Sequence, residues 1–130
     1  MPTPTFASPD DLPRPAGFSQ VVAIPPGALV WTSGQIGSEP DGSTPAGFEE
    51  QTRLAFRNVG RALQAAGADW ADVVKFTFYV VDMSELPVLR AVRDEFVDTS
   101  APPTSSLVQV AGLVRPELLV EIEAVAHVAG

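Results

Sequence analysis

The chain has 130 residues, 45% of them apolar and 18% charged, enough to bury about two-thirds of its unfolded surface and too apolar for disorder. It has no cysteine and a single histidine, His127, which excludes disulfides, thiolate catalysis, thiolate metal sites and a histidine zinc cluster. A net charge of −8, with one lysine and seven arginines, repels phosphate backbones and argues against nucleic-acid binding.

The N-terminal stretch "MPTPTFASPDDLPRPAG" lacks the basic and apolar regions of a signal peptide, and residues 1–14 read as a Pro-rich tail on the surface. No apolar run reaches the roughly eighteen residues of a membrane span, so a soluble, cytoplasmic protein with one domain over 1–130 is expected. "FSQVVAI" (18–24) and "ALVWTSGQI" (28–36) are β-rich and separated by "PPG", which predicts a hairpin. The loop 38–47 leads into a helix, with Thr44 as N-cap and Pro45 at the first helical position.

Between residues 48 and 66 the apolar residues Phe48, Ala55, Val59, Ala62 and Ala66 form a helical stripe, with Gly67 as C-cap. Gln51, Arg53, Arg57, Arg61 and Gln64 fall mostly off that stripe. "VVKFTFYVVDM" (73–83) is a long strand with no wholly polar face, as expected of a strand buried on both sides. A second helix starts near Asp82, where Asp-Met-Ser-Glu has capping-box spacing, and presents Leu86, Leu89, Val92 and Phe96 on one face with Arg90 and Arg93 off it. "SSLVQVAG" (105–112) and "LLVEIEAVAHV" (118–128) close the chain as strands. The order β-β-α-β-α-β-β predicts an α+β sheet with both helices on one face.

That arrangement leaves the other sheet face without cover. In 118–128, Leu118, Val120, Ile122, Ala124 and Ala126 share the helix side; Leu119, Glu121, Glu123, Val125 and His127 share the other. The mixture of carboxylates and apolar residues reads as a surface that meets another protein copy, with a solvated face carrying a few apolar residues as the alternative. Trp31 and Trp70 read as core or interface fillers, and His127, near the terminus, as exposed.

Five stretches occur in order: "GFSQVV" (17–22), "TSGQIG" (32–37), the block from Phe48 to Met83, "APPTSSLVQVAGL" (101–113) and "VEIEAVA" (120–126). Together they resemble the RidA/YjgF family, also labelled endoribonuclease L-PSP. The resemblance implies a chorismate mutase-like fold and a homotrimer whose three sheets line a barrel-like core, with ligand clefts between subunits. It also implies hydrolysis of reactive enamines and imines to a ketone and ammonia without cofactor or metal. In archetypal members an arginine in a Pro-Ala-Arg-Ser motif holds the substrate carboxylate, a glutamate in the "EIE" strand positions water, and a tyrosine in "GPYSQ" assists.

Here the glutamate matches Glu121, the expected catalytic residue, and the "SGQ" turn matches at Ser33, Gly34 and Gln35 with backbone donors for a ligand. Phe18 replaces the tyrosine, Ser105 the arginine, Leu107 a small or thiol side chain, and Arg90 an asparagine of the second helix. The carboxylate clamp is therefore absent, and Arg90 is either a replacement cation or a solvated helix residue. Thr104, Ser105 and Ser106 offer hydroxyls to a ligand or merely open their strand. Glu123 reads as a packing residue. The resemblance thus implies a small-molecule ligand bound by Phe18, Ser33, Gly34, Arg90, Ser105 and Leu107, either hydrolysed or only held.

Overall fold

Strand β7 (Val120–Ala129) lies inside the sheet, and its alternation sets the layering. Leu118, Val120, Ile122, Ala124 and Ala126 are buried, while the intervening Glu121, Glu123 and Val125 are half-buried. Successive side chains of a strand point to opposite faces, so the first set meets the helices and the second does not, as expected. The structure, a computed structural model, describes residues 2–130.

On one side of β7 run β3 (Gly27–Trp31) and β4 (Gln35–Ile36), and on the other β5 (Val73–Val80), all antiparallel to it. β6 (Thr104–Gln109) forms the far edge, parallel to β5, because helix α2 (Leu86–Arg93) carries the chain back before β6 begins. Helix α1 (Phe48–Ala65) and α2 share one core with the sheet. At its centre Phe56 stacks on Phe96 at 4.8 Å and meets Phe76 and Phe78 at 5.6 and 5.8 Å. Such aromatic pairs each contribute about 0.5–1.5 kcal/mol beyond their buried area. Gly67, with φ of 79°, follows α1 in the left-handed conformation that a C-terminal glycine supplies.

Several local expectations give way to long-range pairing. The two runs flanking "PPG" do not form a hairpin: β2 (Val21–Ala23) pairs with β1 (Thr5–Ala7) in a separate two-stranded ribbon, and β3 pairs with β7. Thus the segment read as a surface tail supplies a strand. The run 28–36 is two strands, because Trp31 faces Val125 while Gln35 faces Ile122. Four steps on one strand match three on the other, a one-residue bulge. The N-cap of α1 is Gly47, and the Thr44 hydroxyl is instead 2.6 Å from that of Ser38.

Gln51 is fully buried rather than off the apolar stripe. Its amide donates to the carbonyls of Pro45 and Glu117 and accepts from the Leu119 N–H, each at 2.9 Å. His127 is also buried, with Nε2 3.3 Å from the Pro26 carbonyl, because the start of β3 lies against it. Trp70 packs on the core, whereas Trp31 is 67% exposed. Trp31 and Leu29 (48% exposed) face Val125 and His127 across the β3–β7 ladder, and Val108 (44%) faces Tyr79 from β6. The sheet face away from the helices therefore presents large apolar side chains.

Candidate functional site

The residues singled out in the sequence fall into two groups. Phe18, Arg90, Ser105 and Leu107 line one cleft of about 150 Å³, backed by Phe78 and Leu89. The pairing explains it: Phe76 faces Ser105 and Phe78 faces Leu107 across the parallel ladder, so both β6 side chains share the helix side of the sheet. Phe18 is brought there by Ser19. The Ser19 hydroxyl donates to the Pro102 carbonyl at 2.5 Å and its N–H to the Pro103 carbonyl at 3.1 Å. Prolines have no N–H of their own to offer, so this segment is tied down through its carbonyls.

Glu121, Ser33 and Gly34 form the second group, on the other side of the sheet. Thr32 sets the bulge that exposes Ser33 and Gly34. Its N–H donates to the Ala124 carbonyl at 2.9 Å, and its hydroxyl accepts from the Ala124 N–H at 3.0 Å. A side-chain oxygen thus fills a place in the ladder that a backbone carbonyl ordinarily takes. The Glu121 carboxylate packs directly on Gly34: a methyl at Gly34 would lie 2.7 Å from its Cδ and 2.9 Å from its Cγ. Among the described residues no donor hydrogen-bonds to that carboxylate.

The two groups do not converge within one chain. Ser105 and Leu107 lie on the helix side, whereas Glu121 faces Tyr79 on the open side. The flanking hydroxyls are engaged elsewhere. Thr104 donates to the Val74 carbonyl at 2.6 Å, and Lys75 donates to Ser106 at 3.0 Å, which leaves Ser105 as the β6 hydroxyl of the cleft. Arg90 is exposed and has no ion-pair or hydrogen-bond partner among the described residues.

Two further polar residues join these groups. Tyr79, the register partner of Glu121, donates to Glu123 Oε1 at 2.5 Å. That hydrogen bond, then burial and the charges of Glu123 and Glu121, pushes the Tyr79 phenol above its ordinary range. Alternation places Tyr79 opposite the glutamates once β5 and β7 are paired, so only the pairing register was missing. Arg93 is buried and lines the same cleft as Ser105, although the helical pattern set it off the apolar face.

A larger hollow of about 610 Å³ also borders Phe18 and Ser19, against β1 and residues 99–102, and other hollows lie elsewhere. One of about 550 Å³ sits between the 38–47 loop and α1 and is bordered by Arg53, which pairs with Glu95 at 2.7 Å and Glu49 at 3.3 Å. It holds none of the residues above. Among the described residues no three metal-ligating side chains converge, and no helix is long and apolar enough to cross a membrane.

The family model described as Endoribonuclease L-PSP matches residues 10–128. The chain belongs to that family, the RidA/YjgF family. It is 34% identical over 111 residues to the 2-iminobutanoate/2-iminopropanoate deaminase of Mus musculus, covering 84% of this chain and 79% of that one. Among solved structures it is similar to YyfB of Yersinia pestis, a conserved Rid family protein of unknown function, with a TM-score of 0.84, 28% identity and coverage of 97% and 99%. TdcF of Escherichia coli, solved with bound serine, superposes with a TM-score of 0.73 at 33% identity over 96% of each chain. These RidA/YjgF relatives share the α+β architecture of two helices on one face of a sheet.

Proposed function

We propose that this RidA/YjgF protein hydrolyses small enamines or imines in clefts built from two copies of the chain, within a homotrimer. The observation that carries the reading is the division of the site. Phe18, Arg90, Ser105 and Leu107 lie on one side of the sheet, and Glu121, Ser33 and Gly34 on the other. One chain cannot close such a site on itself, whereas a neighbour packed on the open face brings the second half to the first. The exposed Trp31, Leu29 and Val108 give that face the apolar area that an obligate interface buries. The names of the mouse deaminase and of serine-bound TdcF support a small amino-acid-derived ligand.

In this reading Glu121 is the general base. It takes a proton from water as the water oxygen adds to the C=N carbon and returns it to the nitrogen, giving a carbinolamine. The carbinolamine hydroxyl then passes its proton through Glu121 to the amine, and the C–N bond breaks to release ammonia as the carbonyl forms. The N–H groups of the Ser33–Gly34 bulge hold the water or the ligand from the same side. Phe18 and Leu107 wall the cleft and keep bulk water out.

Semicarbazide competition tests it. Imines released by an amino-acid oxidase are trapped as semicarbazones, and the protein lowers the yield. Glu121→Gln abolishes that effect while the assembly stays intact in sedimentation; full activity of this variant rules out the general-base role. The second reading is a trimer that binds a metabolite without turning it over. It is favoured by Ser105 in the archetypal arginine position and by Phe18, which has no hydroxyl. Stabilisation by a metabolite with no turnover on any imine selects it. Ribonuclease activity is disfavoured by the −8 charge and by the buried His127.

A further inference from the structure

We infer that Arg93, and not Arg90, is the anion-recognising residue of the cleft, so that its ligand carries a carboxylate although Ser105 replaces the archetypal arginine. The inference rests on the reading of the cleft as a ligand site, and it names the ligand class. Arg93 is 8% exposed, at the last turn of α2, and lines the cleft with Phe18, Arg90 and Ser105. Among the described residues no carboxylate lines that space.

The guanidinium is held on two edges. Nε donates to Asp94 Oδ1 at 3.0 Å, and Nη1 reaches the Ala16 carbonyl at 3.4 Å. Its Nη2 and Cζ pack on Gly17, where a methyl would stand 2.8 Å from Cζ and closer still to Nη2, and where φ is +83°. Nη2 donates to no acceptor among the described residues. It is therefore a charged donor already ordered by its surroundings, with little rotamer entropy left to lose on binding. Arg90 is exposed and has no partner among the described residues, and must be ordered from solvent before it contributes.

A carboxylate in the cleft takes one oxygen to Nη2 of Arg93 and the other to the Ser105 hydroxyl. Asp94 neutralises part of the charge from the Nε edge, which Nη2 shares, and is itself exposed, so the ligand oxygen takes the remaining Nη2 hydrogen. The cleft of about 150 Å³ is small. A cavity of that size elsewhere accommodates benzene, so an acid of about four or five carbons suits it.

The test compares imines with and without a carboxylate. An amino-acid oxidase supplies 2-iminobutanoate and an amine oxidase supplies the imine of butylamine, each in semicarbazide competition with the full chain. For Arg93→Met, the preference in kcat/KM for the imino acid over the neutral imine falls by about 10- to 100-fold, carried by KM, and Arg93→Lys recovers part of it. Arg90→Met changes the preference by less than about threefold. Equal losses on both imines, no loss, or a loss confined to Arg90→Met overturns the inference.

If the wild-type protein hydrolyses no imine, the proposed reaction fails but the anion site is still decided. NMR titration with butanoate and butanamide then reports on the amides of Phe18 and Ser105. Butanoate binding tighter than butanamide, and lost in Arg93→Met, upholds the anion site; equal binding of the two overturns it. Where Arg93→Met does not fold, wild-type discrimination between these two probes upholds the site and its absence overturns it.

Discussion

Gly34→Ala separates the position of Glu121 from its chemistry. A methyl at Gly34 would lie 2.7 Å from Glu121 Cδ, closer still to Oε2, and ordinary contact begins at 3.4 Å. The carboxyl carbon must therefore retreat by about 0.7 Å, and Oε2 by more. The atoms in the way are the far end of a flexible side chain, and Gly34 does not have a positive φ. The fold accommodates the methyl, with a stability change of less than about 1 kcal/mol. Catalysis does not, since a base misplaced by about 1 Å costs on the order of 100-fold in rate. The assay is semicarbazide competition for kcat, with thermal melting and sedimentation on the same sample. The expected result is an assembled, normally melting protein with turnover near that of Glu121→Gln. A folded Gly34→Ala protein within about threefold of wild-type turnover refutes the reasoning, because Glu121 would then be displaced without consequence.

Gln51→Leu keeps the volume of a buried side chain but leaves the Pro45 and Glu117 carbonyls and the Leu119 N–H without their partner. The three hydrogen bonds are partly buried, and at about 0.5–1.5 kcal/mol each their loss lowers stability in urea unfolding by about 2–4 kcal/mol, or about 10 °C in melting temperature. Leu29→Glu combined with Trp31→Glu puts charge on the open sheet face; sedimentation then shows monomer, and imine hydrolysis falls in step with the monomer fraction. The Tyr79 phenol is raised in the folded state, so its contribution is complete below the ordinary value of 10.0 and is lost as pH climbs through the raised one. Tyr79→Phe accordingly shows a shallower fall in urea midpoint than wild type as pH rises above about 10.

Much of the architecture was legible because it follows from short-range periodicity. The alternation through Val120, Ile122 and Ala124 marks a buried face and is borne out. Of the expected helical stripe Phe48, Ala55 and Val59 are buried, whereas Ala62 is half-buried and Ala66 is exposed just past the end of α1, where Leu63 takes the core side instead. Gly67 ends α1 in the left-handed conformation, a property of one residue that needs no partner. The family is legible from motif order, and the match over residues 10–128 agrees with it.

What failed to read from the sequence depends on partners far away in the chain. Both β2 and β3 have strand composition, but pairing β2 with β1 and β3 with β7 is settled by which surfaces can be buried together. Gln51 and Arg93 are polar by type, which points to solvent; each is buried because distant backbone groups, Glu117 and Leu119 for one and Ala16 for the other, satisfy it. The same holds for the site. Composition and alternation determined that this is an acidic α+β protein with one face covered by helices and carboxylates on the other. Tertiary pairing alone decided that Ser105 and Glu121 lie on opposite faces of the sheet, and that Arg93 stands beside Ser105. Face and neighbour are properties of the strand register, and register is set by contacts that sequence separation hides.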